Sequence, residues 1–229
     1  MRALAIDTTN NVLGIAILEA NKVIGEYITN LKKNHSVRAM PAIEQLLKEC
    51  DLTPKDLDKI VVATGPGSYT GVRIGVSIAK TMAWSLNIPI VGVSSLEALA
   101  ANGKFFNGVI SPLFDARRGQ VYTGLYRYSD DNLVTIEEDC NLLLTEWIEK
   151  LKETGEQVLF LGNDVSIHNE LIKEILAEKA VIGSMTLHNP RPSELGMIGI
   201  KKIATDVHSL VPNYIRLAEA EAKWLEQQK

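Results

Sequence analysis

A glycine-rich segment between an apolar run and a long helical pattern is the feature that most constrains this chain. The segment reads T-G-P-G-S-Y-T-G-V-R-I-G from Thr64 to Gly75. The apolar run Ile60–Ala63 before it predicts a short buried strand, and the pattern of Val72–Leu86 after it predicts a helix. Backbone amides and a helix dipole at such a turn can hold a phosphate. This turn is therefore the first candidate for a binding site.

The spacing of the glycines matches neither standard phosphate-binding motif. Gly65, Gly67 and Gly71 give G-x-G-x-x-x-G, one residue longer than the dinucleotide fingerprint, and no G-K-S or G-K-T follows for a P-loop. Near the start of the chain, an aspartate and two threonines follow the first predicted strand, where they can either contact a phosphate or form a hairpin turn. The candidate nucleotide or phosphate site consists of Asp7, Thr8, Thr9, Gly65, Gly67 and Ser68.

Composition and charge argue against several classes of protein, although a local basic patch for nucleic acid stays open. The chain has 229 residues and a net charge of −4, without the general basic character of a nucleic-acid-binding domain. No apolar segment approaches the roughly 18 residues of a membrane span. The apolar run at the N-terminus is too short for a signal peptide, and Cys50 and Cys140 do not suggest a disulfide framework. We expect a cytoplasmic protein.

Local patterns predict two similar halves. The first half has the predicted strands Ala3–Ile6, Val12–Leu18, Val23–Thr29, Ile60–Ala63 and Ile90–Val93, with helices at Ser36–Cys50, Val72–Leu86 and from Ser95. The second has strands Gly108–Phe114, Gln120–Tyr128, Leu133–Ile136, Gln157–Leu161 and Val181–Ile182, with helices Thr145–Thr154, Ser166–Lys179, Ser193–Asp206 and Leu217–Gln228. Thr145 is the predicted cap of its helix. This order predicts a duplicated β-β-β-α-β-α unit in an α/β fold, with subdomains 1–104 and 105–229.

A stripe of small residues marks the long helix. Gly71, Gly75, Ala79 and Ala83 are spaced by four, and glycine inside a helix costs about 1 kcal/mol relative to alanine, which suggests a close neighbour. That neighbour is either the sheet of the same domain or a helix of a partner. The partner hypothesis selects an interface of Val37, Met40, Ile43, Leu47, Tyr69, Val72, Arg73, Gly75, Val76, Ala79, Lys80 and Ala83. Arg73 contacts an anion, pairs with an acid across an interface, or is solvated.

No metal-binding or catalytic arrangement is predicted. The four histidines, His35, His168, His188 and His208, contain no pair at i, i+3 or i+4, and the two cysteines form no cluster. A G-x-S-x-G nucleophile turn is also missing from the sequence. We therefore expect no metal site, while a Ser-His-Asp arrangement brought together in space stays open; the further expectation of no catalytic residues and no cofactor belonging to this chain alone comes from the resemblance described next.

Several segments together resemble the bacterial TsaB (YeaZ) family. They are A-L-A-I-D-T-T from Ala3, the glycine segment with Ala79-Lys80, P-I-V-G-V-S-S-L-E-A-L-A from Pro89, and P-N-Y-I-R from Pro212. The resemblance is close over residues 1–102 and looser to the C-terminus. It implies the actin/Hsp70-like (ASKHA) fold, in agreement with the predicted duplication.

The resemblance also implies a function. Family members help to form N6-threonylcarbamoyladenosine beside the anticodon of tRNAs that read codons starting with A. They bind and activate the paralogous catalytic subunit TsaD, which holds the metal and ATP, and the small ATPase TsaE joins the assembly. The contact with TsaD is made by the helices that correspond to Ser36–Cys50 and Ser68–Leu86. In TsaD the motif V-N-H-x-x-x-H binds the metal, whereas Ser95 and Leu99 stand at the two histidine positions here.

Three hypotheses follow. The first is a non-catalytic subunit that binds TsaD, contacts tRNA only through the complex, forms a homodimer when TsaD is absent, and has ATP or ADP at most at the partner interface. The second is a nucleotide-dependent phosphotransferase or hydrolase of the same superfold, using the candidate phosphate site. The third is direct tRNA binding through Arg117, Arg118 and Arg127, which the acidic net charge disfavours.

Overall fold

A computed structural model describes residues 1–215 and contains two five-stranded sheets. The first half is built from strands β1 (Arg2–Asp7), β2 (Val12–Glu19), β3 (Lys22–Asn30), β4 (Lys59–Ala63) and β5 (Ile90–Val93), with helices α1 (Ala39–Glu49), α2 (Tyr69–Leu86) and α3 (Ser95–Ala100). The second half contains strands β6 (Val109–Asp115), β7 (Gln120–Ser129), β8 (Asn132–Leu143), β9 (Val158–Leu161) and β10 (Ala180–Ile182), with helices α4 (Leu144–Thr154) and α5 (Val165–Leu176), and is followed by α6 (Pro192–Lys201).

The two sheets have the same topology. Their orders are β3-β2-β1-β4-β5 and β10-β9-β6-β7-β8, which are equivalent when the second is read in reverse. In each, the first three strands pair antiparallel and the last two add in parallel. The predicted α/β fold with a duplicated unit is therefore confirmed.

Alternation along the strands divides the first half into two cores. Leu4 and Ile6 of β1 face the core under α1 and α2, whereas Ala5 between them faces the opposite layer. That opposite layer is α6, whose Leu195 is fully buried there. Since side chains alternate across a strand and both faces of this sheet are covered, the interior positions of its central strands β1 and β4 are apolar.

The placement of α6 corrects the simple division at residues 104 and 105. In sequence, α6 lies in the predicted subdomain 105–229, yet it packs on β1, β2 and β4 of the first sheet. The helix also ends at Lys201 rather than at the predicted Asp206. It ends there because Thr205 forms an antiparallel bridge with Ile90, and its N–H donates to the carbonyl of Ile90 at 2.9 Å.

The predicted helix starts also need correction. A 3-10 turn at His35–Val37 precedes α1, and Pro41 lies in the first turn of α1, where its missing N–H has no cost. Thr145 does not cap α4, because the helix begins one residue earlier and the N–H of Leu144 donates to the carbonyl of Gly119 at 2.9 Å. The predicted helix Leu217–Gln228 lies outside the described residues.

The small-residue stripe of α2 faces the sheet of its own half. Gly71, Gly75, Ala79 and Ala83 are all buried. A Cβ built on Gly71 would lie 2.2 Å from the carbonyl oxygen of Thr8, and one on Gly75 would lie 2.5 Å from Thr8 Oγ1. The close neighbours are thus the β1–β2 turn and Val62 of β4, which lies 3.7 Å from a Cβ built on Gly75, so the stripe packs within its own domain and not on a partner helix.

No helix within residues 1–215 is both long enough and apolar enough to cross a membrane.

Because Thr8 lies so close to α2, a methyl group added to the helix should lower the free energy of unfolding on the side facing Thr8 but not on the exposed side. Gly71→Ala should lower the free energy of unfolding by about 2 kcal/mol, because the new Cβ forces helix and turn apart. Ser77→Ala, on the exposed side of the same helix, should leave it nearly unchanged. Urea denaturation followed by circular dichroism measures both variants, and equal stabilities would contradict this packing.

Candidate functional site

A cleft of about 730 Å³ lies between the two halves. Its polar and charged lining includes, from the first half, Thr9, Asn10, Asn11, Lys32, Lys33, Asn34, His35, Ser68 and Thr70, and from the second, Asp115, Arg117 and Asp164. The N-terminus of α2 and the carboxyl ends of β1 and β6 meet there. This is the place where open α/β sheets bind ligands.

The predicted phosphate residues are brought together, but they bind one another. The N–H and the hydroxyl of Thr9 both donate to Asp7 Oδ1 at 2.8 Å. The hydroxyl of Thr8 donates to the carbonyl of Gly71 at 2.7 Å. The N–H of Ser68 donates to the carbonyl of Thr9 at 2.6 Å, so these donors are already used within the protein.

The glycines are explained by the same contacts. A Cβ on Gly67 would lie 2.2 Å from the carbonyl oxygen of Thr9. Gly65 has φ of +101°, a backbone conformation that favours glycine. The hydroxyl of Ser68 caps α2 by accepting the N–H of Gly71 at 3.3 Å. The segment thus folds against the β1–β2 turn and begins a helix, with Gly67 and Ser68 at the cleft wall.

Asp7 is almost fully buried, and its Oδ2 has no hydrogen-bond partner among the described residues. Burial raises the pKa of Asp7, and this effect outweighs the hydrogen bonds from Thr9 and the attraction of His35, which lower it. The carboxyl is therefore shielded from the cleft. It does not line the cavity, although the β1–β2 turn that follows it does.

The second half presents an equivalent aspartate with a histidine partner. Asp115 ends β6 as Asp7 ends β1, and its Oδ1 lies 3.1 Å from Nε2 of His168 on α5. The N–H of Asp115 donates to Asp164 Oδ2 at 3.0 Å, and the N–H of Arg117 donates to Asp115 Oδ2 at 3.2 Å. The sequence analysis missed the pairing of Asp115 with His168, which lies 53 residues further along the chain.

A second polar cluster connects the halves through Asp139 of β8. The hydroxyl of Ser94, at the end of β5, and that of Tyr126, on β7, both donate to the carboxylate of Asp139. Burial raises the pKa of Asp139 and of Tyr126. The cluster holds the start of α3 against the second sheet.

Ser95 and Leu99 are packed in the interior. Both are fully buried, the hydroxyl of Ser95 has no hydrogen-bond partner among the described residues, and Leu99 belongs to an apolar cluster with Ile110 and Tyr126. Within residues 1–215 there is no group of three or more His, Cys, Asp or Glu side chains that could hold a metal. The donor set therefore does not fit a metal at this place.

The proposed interface residues divide into two sets, which corrects the predicted partner face. Buried against the protein's own core are Ile43, Leu47, Val72, Gly75, Val76, Ala79 and Ala83. These side chains cannot contact a partner. The ammonium of Lys80 is also engaged, because it donates to the carbonyls of His208 and Leu210 at 3.1 and 2.8 Å.

The remaining members of the predicted interface are exposed. Val37 is 69 % exposed, Met40 46 % and Tyr69 45 %, and Arg73 is exposed as well. A shallow groove of about 430 Å³ between the start of α1 and α2 includes most of them; we call it the α1/α2 groove, and its lining is Ser36, Met40, Tyr69, Thr70, Arg73, Ile74, Ser77 and Ile78. Sequence reasoning missed Ile74 and Ile78, which lie on the side of α2 next to the small-residue stripe.

The three arginines proposed for tRNA do not form one patch. Arg117 and Arg118 occupy the β6–β7 turn with positive φ, at one end of β7. Arg127 lies near the other end of this strand, about 23 Å from its first residue, Gln120, at 3.3 Å per residue. It forms an ion pair with Glu156 at 2.5 Å.

Comparisons with known proteins agree with one another. Residues 22–224 match the family model described as TsaD, tRNA N6-adenosine threonylcarbamoyltransferase. The chain is 63% identical over 229 residues to the tRNA threonylcarbamoyladenosine biosynthesis protein TsaB of Bacillus subtilis, covering 100% of both chains. It is 29% identical over 177 residues to the protein of the same description from Escherichia coli, covering 76% of each.

A solved structure from Pseudomonas aeruginosa, described as similar to the peptidase YeaZ, has the same fold. It superposes with a TM-score of 0.80 at 22% identity, covering 94% of this chain and 99% of that one.

The buried carboxyl of Asp7 predicts a pH-dependent stability. Its pKa is raised on folding, so the folded state binds a proton that the unfolded state releases, and this contribution to stability is lost as the pH rises through the folded pKa. Asp7→Asn keeps the shape without the charge. The free energy of unfolding of the variant should exceed that of the wild type by about 1 kcal/mol at pH 8, and this difference should shrink toward pH 4.

Urea unfolding at both pH values measures this difference. Asp56→Asn is the matched control, because the side chain of Asp56 is 41 % exposed and its pKa is lowered, mainly by hydrogen bonds from Thr53. An Asp7→Asn advantage that grows toward acid pH would contradict the assignment.

Proposed function

Since the chain belongs to the TsaB family of tRNA threonylcarbamoyladenosine biosynthesis proteins, we propose that it is a non-catalytic subunit of the complex that forms N6-threonylcarbamoyladenosine. In this proposal the chain binds and activates TsaD. The substrate is a tRNA that reads codons starting with A, and this chain contacts the tRNA only through the complex. The observation that carries the proposal is the 63% identity over the whole chain to a protein of that description.

The residues in the interior of the first half favour a non-catalytic role over a catalytic one. Ser95 and Leu99 offer one hydroxyl and no imidazole where the resemblance places two metal-binding histidines in TsaD. The hydroxyls of Thr8 and Thr9 and the N–H of Ser68 donate to groups within the chain. Both observations disfavour the alternative of a nucleotide-dependent phosphotransferase or hydrolase, for which calorimetry with ATP and magnesium on the isolated chain is the direct test.

The α1/α2 groove is the surface that we propose for TsaD. Apolar side chains lie on both sides of it and suit the packing of a second helix pair: Met40 of α1 is exposed, as is Val37 of the preceding 3-10 turn, and Ile74 and Ile78 of α2 are half-buried. Without TsaD, a second copy of the chain would cover the same surface, which gives the homodimer. TsaE joins the assembly in this proposal, and ATP or ADP, if bound, lies at the boundary between subunits rather than in a site of this chain alone.

Reconstitution tests the function directly. Purified TsaD and TsaE, supplied with unmodified tRNA, ATP and an activated threonylcarbamoyl donor, should produce the modified nucleoside when this chain is present, and at least about tenfold less in its absence. Mass spectrometry of digested tRNA measures the product. Equal modification with and without the chain would refute the proposed role.

A surface substitution tests the groove. Met40→Asp should weaken binding to TsaD by at least about tenfold, because it places a charge in the apolar centre of the contact. Met185→Asp is the matched control: Met185 is 87 % exposed and lies outside the groove. Isothermal titration calorimetry compares both variants with the wild type, and equal affinities of Met40→Asp and Met185→Asp would place the interface elsewhere.

A further inference from the structure

The segment after α6 returns to α2 and adds a side chain to its exposed surface. The Nζ of Lys80 binds the carbonyls of His208 and Leu210, and the N–H of Asn213 donates to the carbonyl of Thr64 at 2.7 Å. These bonds lead residues 208–214 along α2 toward its N-terminus. Tyr214, part of the P-N-Y-I-R motif, is delivered beside Tyr69 as a result.

Arg73 is held by both tyrosines. The rings of Tyr69 and Tyr214 stack with their centroids 5.1 Å apart. The guanidinium carbon of Arg73 lies 4.3 Å from the centroid of Tyr69 and 6.0 Å from that of Tyr214, and its Nε donates to the hydroxyl of Tyr214 at 2.8 Å. A guanidinium fixed in this way has already lost much of the freedom that binding would otherwise remove.

The charge of Arg73 has no carboxylate partner in the described part of the chain. The Nε bond to Tyr214 uses one of the five donors of the guanidinium. The sequence of α2 contains no Asp or Glu, and its other cation, Lys80, is used by main-chain carbonyls. The surface around Arg73 is therefore complementary to a negatively charged group.

We propose that Tyr69, Arg73 and Tyr214 form a preorganised anchor that binds a carboxylate of the partner helix pair at the edge of the α1/α2 groove. The inference rests on the proposed function and adds the chemistry of one contact. Tyrosine and arginine are among the residue types enriched where binding energy concentrates at interfaces, and a planar guanidinium binds a carboxylate through two parallel hydrogen bonds. Tyr214 acts through Arg73, as a positioning residue.

Calorimetric titration of the full chain with TsaD tests the anchor. Arg73→Glu reverses the charge and should weaken binding by at least about 50-fold. Arg73→Lys keeps only the charge and should weaken binding by about fivefold, and Tyr214→Phe keeps only the ring and should weaken it by about threefold. Lys55→Glu is the control, since it makes the same change in net charge at an exposed position away from the groove. Thermal unfolding checks that the variants are folded.

A charge swap identifies the carboxylate. When one particular acidic residue of TsaD is changed to arginine, the Arg73→Glu chain should bind that TsaD variant at least about tenfold more tightly than it binds wild-type TsaD. The anchor is refuted, and the α1/α2 groove is kept as the interface, if Met40→Asp abolishes binding while Arg73→Glu binds TsaD as well as Lys55→Glu does. The anchor is also refuted if no acidic residue of TsaD restores binding when it is changed to arginine. If Met40→Asp and Arg73→Glu both bind normally, the groove itself is refuted.

Discussion

The arrangement of the first half depends on the contact between the β1–β2 turn and the start of α2. Main-chain atoms of Thr8 and Thr9 approach the helix so closely that Gly67 and Gly71 leave no room for a Cβ. Hydrogen bonds from Thr8 and Ser68 fix this approach. Because one side of α2 is pressed against the turn and the sheet, its other side is turned outward, and that side carries Tyr69, Arg73 and Trp84.

This contact also separates two surfaces with different chemistry. On the cleft side, the hydroxyls of Thr8 and Thr9 donate within the protein, and the carboxyl of Asp7 is buried with a raised pKa. On the helix side, apolar and cationic groups are exposed. The fold thus retains the cleft of its structural class, while the features that suit a partner lie on the outer surface of α1 and α2.

Much of the fold could be predicted from the sequence, because alternation in strands and periodicity in helices are local properties. The duplicated order and most strand bounds follow from them, as does the stripe of α2. The neighbour of that stripe could not be predicted, since small residues at a spacing of four allow any close backbone. The sequence hypothesis therefore placed Gly75 and Ala79 at a partner face, and the fold places them in the core. Long-range pairs such as Arg73 with Tyr214 or Asp115 with His168 leave no local signal.

Hydroxyl-radical footprinting of the complex with TsaD tests the central claim most directly, because it reads side-chain exposure in the unmodified protein. Met40 and Met185 are exposed on different surfaces and oxidise readily. Addition of TsaD should slow the oxidation of Met40, together with that of Tyr69 and Tyr214, and leave Met185 unchanged. If TsaD instead slows the oxidation of Met185 and leaves that of Met40 unchanged, the proposal that TsaD binds the outer surface of α1 and α2 is contradicted.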